Sequence, residues 1–126
     1  MVNAGSIVAI VDDDDAVRRA LRRLVLSLPH RPQTFASGEE FLDSLQRCAP
    51  HCALVDLHMP GLKGLDVLDR LRMRDRRVPA IIITGYDEIG VREKCLAAGA
   101  AAYLVKPLER AVVAKAIEDA IAAAST

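Results

Sequence analysis

The sequence predicts a doubly wound α/β sandwich, a (βα)5 chain folded around one five-stranded parallel sheet, and three observations predict it. Four short apolar runs, Ile7–Val11, Cys52–Val55, Ala80–Ile83 and Ala101–Val105, are too brief for typical helices and read as strands buried on both faces. Between them lie stretches with the period of amphipathic helices. The chain has 126 residues, 52% of them hydrophobic, yet only two Phe, two Tyr and no Trp, so a single aliphatic core is expected. Strands alternating with helices require right-handed crossovers and therefore a parallel sheet covered on both sides. A closed barrel would need eight such units and about 250 residues.

Taken in order, the first strand, Ile7–Val11, stops at four aspartates, Asp12 to Asp15. Ala16, Val17, Ala20, Leu21, Leu24, Val25 and Leu28 then recur at helical spacing, with Arg18, Arg19, Arg22 and Arg23 between them. Pro29 and Pro32 end this helix, and a short segment around Gln33 to Ala36 leads to Ser37-Gly-Glu-Glu40, a capping-box pattern ahead of Phe41, Leu42 and Leu45. The run Cys52–Val55 again ends at an aspartate, Asp56, before a loop holding Met59-Pro-Gly61. Leu65, Leu68 and Leu71 mark a third helix, and the arginine-rich stretch 70–77 carries the chain to Pro79. The strand Ala80–Ile83 closes at Thr84-Gly85. Val91, Cys95 and Ala98 are spaced for a fourth helix with Gly99 as its C-terminal cap. After Ala101–Val105 comes Lys106-Pro107, and Val112, Val113, Ala116, Ile117, Ala120 and Ile121 stripe a final helix. No linker, low-complexity tract or duplication divides the chain, so residues 1–126 are expected to form one domain.

Charge excludes several partners. Seventeen Lys and Arg balance seventeen Asp and Glu, which leaves no overall basic field for nucleic acid or an anionic membrane. No apolar run approaches the roughly 20 residues that span a bilayer. The first residues carry no basic n-region before the short run at Ile7, so a cytoplasmic protein is expected. Cys48, Cys52 and Cys95 are odd in number and read as ordinary thiols. The spacing of Cys48, His51 and Cys52 fits no standard zinc pattern.

In an open parallel sheet, ligands bind beyond the carboxyl ends of the strands. The first strand delivers Asp12 and Asp13 there, the third Asp56, the fourth Thr84 and the fifth Lys106. Three close carboxylates repel one another and need protons or a cation. Oxygen-only ligation points to Mg2+, and Mg2+ points to phosphate chemistry.

The motifs Ile-Val-Asp12-Asp13-Asp, Leu-Val-Asp56-Leu-His-Met-Pro60-Gly, Ile-Ile-Ile-Thr84-Gly and Tyr-Leu-Val-Lys106-Pro107 resemble, in order and placement, those of the receiver domain of bacterial two-component response regulators. The likeness covers roughly Ser6 to Ala122 and is nearest in feel to receivers of the LuxR-type regulators of nitrogen fixation. It implies a flavodoxin-like sheet in the strand order 2-1-3-4-5 and a signalling phospho-acceptor rather than an enzyme with a separate substrate. By that resemblance Asp56 accepts a phosphoryl group from a sensor histidine kinase or histidine phosphotransferase. Mg2+ is held by Asp12, Asp13, Asp56 and the backbone carbonyl of His58, while Lys106 and Thr84 bind phosphoryl oxygens. Thr84 and Tyr103 form the switch that remodels the surface of the fourth helix, fifth strand and fifth helix, toward a partner, an output domain or a second copy. Regulators of that type usually continue into a helix-turn-helix, so the chain reads as a single-domain regulator or an excised receiver. Direct nucleic-acid binding by this domain is not expected.

Other readings stand beside these. Asp14 and Asp15 are best placed at a helix N-terminus, one of them as the cap. Lys106 also reads as a solvated lysine, Thr84 as a cap and Tyr103 as ordinary packing. His58 and Tyr86, two residues beyond Asp56 and Thr84, are expected to shield an acyl phosphate from water. An aspartyl-phosphate hydrolase of the haloacid-dehalogenase type would want an acid at position 58 and a larger chain. A nucleotide binder would want a phosphate-cradling loop where the four aspartates stand.

Overall fold

In the computed structural model, which describes residues 5–74 and 77–125, five parallel strands pair in the order β2-β1-β3-β4-β5. They are β1 (Ser6–Val11), β2 (His30–Phe35), β3 (Cys52–Asp56), β4 (Ala80–Thr84) and β5 (Ala102–Val105). The helices alternate with them: α1 (Asp15–Ser27), α2 (Gly38–Ser44), α3 (Gly64–Arg72), α4 (Val91–Ala97) and α5 (Arg110–Ala124). Residues 1–4, in which no n-region was found, and residues 75–76 of the arginine-rich stretch lie outside the described residues.

The period-two alternation of each strand divides the core in two. Ala9, Val11, Ala53, Val55, Ala80, Ile82 and Tyr103 face α2, α3 and α4, whose Phe41, Val67, Leu68, Leu71 and Cys95, with Leu45 just past α2, complete that layer. Val8, Ile10, Cys52, Leu54, Ile81 and Ile83 face the other way, against Leu21 and Val25 of α1 and Val113, Ile117, Ala120 and Ile121 of α5. The central strands are apolar on both sides for this reason, which is why they were readable as continuous runs.

The edge strand β2 is different. Its sequence His-Arg-Pro-Gln-Thr-Phe carries little apolar pattern, and it starts three residues before the segment expected around Gln33. Pairing with β1 from Ser6↔His30 to Val11↔Phe35 creates it, and an edge position is where a strand tolerates Pro32.

Local chemistry sets the helix ends. Asp14 caps α1, its side chain accepting from the N–H groups of Ala16 and Val17. Ser37 caps α2 by accepting from Glu40 N, and the Glu40 carboxylate reaches back to Ala36 N, one residue earlier than a standard capping box. Beyond α4, Gly99 takes a φ of 102°, with its N–H on Leu96 O and Ala100 N–H on Cys95 O. These two bonds make a Schellman motif, with Ala98 as the cap and Gly99 just past it.

The cysteines are unpaired, with Cys52 and Cys95 buried and Cys48 exposed. His51 is a structural residue: its Nδ1 accepts from Ile7 N at 2.9 Å, and its backbone N–H donates to Ile7 O. His30 is buried at the start of β2 with no hydrogen-bond partner for Nδ1 among the described residues, and that burial lowers its pKa.

Candidate functional site

The register of the sheet assembles the site. Val11 is level with Val55, so Asp12, one residue further, stands beside Asp56. Asp56 is level with Ile83 and Thr84 with Val105, which brings Thr84 and Lys106 to the same rim. The last steps are fixed by backbone bonds that run past the strands, Leu57 N to Ile83 O at 2.9 Å and Lys106 N to Thr84 O at 2.8 Å. The Lys106–Pro107 peptide is cis.

Carboxylate oxygens of Asp12, Asp13 and Asp56 lie within 4.8 Å of one another, the one such acidic cluster of metal-ligating groups among the described residues. Asp12 is 1% exposed. Its Oδ1 accepts from Asp14 N at 2.9 Å, but among the described residues its buried Oδ2 has no hydrogen-bond partner, and Lys106 Nζ lies 3.7 Å away. Burial, opposed by the Asp14 hydrogen bond and by Lys106, raises the Asp12 pKa. Asp56 is pushed up to about 6, first by burial and then by the charge of Asp12, with Lys106 pulling it down and Asp13 adding to the rise. An unsatisfied buried carboxylate oxygen next to two further carboxylates is a donor set for a small hard cation. The residues present therefore fit a divalent ion with oxygen ligands.

The cluster is held by contacts that sequence reasoning did not find. Arg18 donates through Nη1 to Asp12 O at 2.8 Å and through Nη2 to Asp15 Oδ1 at 2.9 Å, while Arg19 pairs with the other Asp15 oxygen. The loop after β3 folds back so that Gly64 N donates to Leu57 O. A Cβ at Gly64 would come within 2.9 Å of Asp56 O and Leu57 Cα, so only glycine permits this close approach. Position 64 sits at a helix start where glycine has no obvious sequence signature.

Thr84 is fully buried. Its hydroxyl donates to Tyr86 O at 2.9 Å and accepts from Tyr86 N at 3.1 Å, so it is engaged within its own loop. The Tyr86 ring itself is exposed. His58 Nε2 lies 3.7 Å from Glu88 Oε1, tying the loop after β3 to the loop after β4. Tyr103 lies apart from the carboxylates, buried on the α2–α4 side with its hydroxyl donating to Asp87 Oδ1 at 3.0 Å. Of the residues singled out in the sequence, Asp12, Asp13, Asp56 and Lys106 thus converge. Thr84 shares their rim through the register, and Tyr103 joins through the loop that Thr84 begins.

Comparison with known proteins agrees with this geometry. Residues 8–118 match the family model of the response regulator receiver domain. The response regulator protein TodT of Pseudomonas putida is 35% identical over 121 residues, taking in 96% of this chain and 53% of TodT. The transcriptional regulatory protein FixJ of Bradyrhizobium diazoefficiens is 32% identical over 112 residues, with 89% and 55% covered. The chain spans about half the length of the curated relatives it matches. Among solved structures, a response regulator receiver protein from Burkholderia phymatum matches with a TM-score of 0.81 at 42% identity, covering 93% of this chain and 95% of that one. The receiver domain of the sensor histidine kinase PA1611 from Pseudomonas aeruginosa, crystallised with a magnesium ion coordinated in its active site cleft, matches with a TM-score of 0.85 at 30% identity, covering 94% and 99%.

Proposed function

The chain belongs to the response regulator receiver family, and on that footing we propose that Asp56 accepts a phosphoryl group from a phosphohistidine on a histidine kinase or histidine phosphotransferase, with Mg2+ held beside it. The observation that carries this reading is the convergence of three carboxylates within 4.8 Å on one rim, with an ammonium 3.7 Å from Asp12 and a hydroxyl at the end of the neighbouring strand. Residues 1–126 form one receiver domain in this reading.

An Asp56 carboxylate oxygen attacks the phosphorus; a P–O bond forms as the P–N bond to the donor imidazole breaks, and the imidazole leaves with the bonding pair. The nucleophile must be ionised, and a group lifted to about 6 is mostly so at neutral pH. Asp12, Asp13, Asp56 and the His58 carbonyl would hold the metal, which supplies positive charge against the phosphoryl oxygens. The magnesium in the PA1611 receiver, at 30% identity, supports that assignment. Lys106 leaves Asp12 to meet a phosphoryl oxygen, and Thr84 turns its hydroxyl from the Tyr86 carbonyl to another. The protein mainly positions and screens, so catalysis is limited to its own phosphorylation and dephosphorylation. The exposed Tyr86 ring and the His58 ring drawn to Glu88 shield the product from water.

The output passes through α4, β5 and α5. Ile89, Leu96, Val105 and Val112 are exposed apolar side chains on or next to these elements, a surface suited to a protein partner, an output domain or a second copy of the chain. No helix among the described residues is long and apolar enough to cross a membrane, and a cytoplasmic site of action is part of the proposal.

The test is incubation with acetyl phosphate and Mg2+ followed by intact mass. A single added phosphoryl on the wild type, absent from Asp56→Asn and from EDTA-treated protein, is the expected result. No adduct on the wild type, or an undiminished one on Asp56→Asn, overturns the proposal.

A further inference from the structure

We infer that Asp87 is a positioning residue for the switch: its carboxylate accepts the hydrogen bond of the Tyr103 hydroxyl and holds the ring inside the α4–β5 side of the core before any phosphoryl arrives. The consequence for signalling rests on the function proposed above, whereas the tie itself does not.

Tyr103 is 4% exposed, and a buried phenol needs a partner for its O–H. It finds one 16 residues away in sequence, Asp87 Oδ1 at 3.0 Å, on the loop that joins β4 to α4. The groups facing this hydroxyl are Asp87, Glu88 and the Cys95 thiol, and Glu88 is itself drawn toward His58. Burial and the Asp87 hydrogen bond push the phenol up to about 12, in keeping with a neutral ring that keeps its proton and donates a hydrogen bond to the carboxylate. The same loop begins at Thr84, whose hydroxyl and Tyr86 backbone close a small turn immediately before Asp87. Withdrawing the Thr84 hydroxyl from Tyr86 opens that turn and shifts the backbone carrying Asp87. Asp87 is therefore the link through which an event at Thr84 is felt at Tyr103. A hydrogen bond to a charged acceptor favours the ring-in state by about tenfold or more.

Because the chain has two Tyr and no Trp, a Tyr86→Phe background leaves Tyr103 as the sole ultraviolet emitter of its kind. In that background, without phosphorylation, acrylamide quenching of Tyr103 emission is expected to rise severalfold in Asp87→Ala. Asp87→Asn, which still offers a carbonyl acceptor, is expected to fall between Ala and the parent. The tyrosinate absorbance midpoint is expected to drop from about 12 toward the ordinary 10 in both variants, provided circular dichroism shows them folded. Unchanged quenching in folded Asp87→Ala overturns the tie. The rate of adduct formation with acetyl phosphate is expected to change several-fold in Asp87→Ala; an unchanged rate with a released ring overturns the link to Thr84. Absence of any adduct on the wild type counts against Asp56 as acceptor and leaves the quenching result to decide the tie.

Discussion

Replacing Asp56 with Asn is expected to stabilise the metal-free protein at neutral pH, because the fold holds this carboxylate where its charge is unwelcome. The folded group titrates at about 6 against an ordinary 3.8, with burial the main cause and Asp12 the next. A group raised by folding contributes its stability in full below the unfolded value and loses it as the pH climbs through the folded one. That rise corresponds to about 3 kcal/mol at full strength, and water at the open rim reduces it to about 1–2 kcal/mol. For a chain of this size the gain is about 4–8 °C in melting temperature. Circular-dichroism melts of both proteins in EDTA, stepped from about pH 4 to about pH 8, read it directly, the window being set by the two pKa values. The variant should lead at neutral pH and the lead should close toward the acid end. Mg2+ should then stabilise the wild type more than the variant, by mass action on the folded state. Equal melting temperatures at neutral pH, or a gap that persists undiminished in acid, would refute the argument that a desolvated, crowded carboxylate sits at position 56.

Two other substitutions probe the same rim. Gly64→Ala forces a Cβ against Asp56 O and Leu57 Cα, which are backbone atoms that cannot rotate away. It should cost about 1–3 kcal/mol and slow phosphoryl uptake together, seen by thermal melts and intact mass; a folded variant with normal uptake would show the loop tolerates the shift. Lys106→Ala removes the cation that lowers both Asp12 and Asp56, so the Asp56 midpoint should move above about 6 in a carboxyl-observed NMR titration. A midpoint that stays or falls would show that the Lys106 charge does not reach Asp56.

The strand ends were legible in the sequence because a buried parallel strand is an uninterrupted apolar run and its first polar residue must emerge at the rim. Asp12, Asp56, Thr84 and Lys106 follow from that alone, and an aspartate cap follows from the amphipathic stretch behind the acidic run, though the choice of Asp14 does not. The edge strand β2 was only partly legible. Its residues are polar and include Pro32, so its extent comes from pairing with β1 rather than from its own pattern. What the side chains do with one another was less visible. Lys106 meets Asp12, the Thr84 hydroxyl serves its own loop, and Asp87 accepts the hydrogen bond of the Tyr103 hydroxyl. These are tertiary choices among several carboxylates and donors of the right type, and no spacing rule selects between them. Arg18 is a similar case: it reads as one of four arginines on a solvated helix face, yet it reaches back to the Asp12 carbonyl.

The division of the core by the sheet has a mechanical consequence. Tyr103, Cys95 and the layer of α2, α3 and α4 lie on one side, and the other side is filled by aliphatic side chains of α1 and α5 with no aromatic among them. Close-packed interiors rearrange between discrete arrangements rather than yielding smoothly. Under the switch proposed above, a repacking at Tyr103 would start in the α2–α4 layer, with the sheet between it and the side chains of α1 and α5. The sheet would then act as a bulkhead between the two layers, so that a change at Tyr103 would reach the α5 side through β5, which carries Tyr103 on one face and Ala102 and Leu104 on the other.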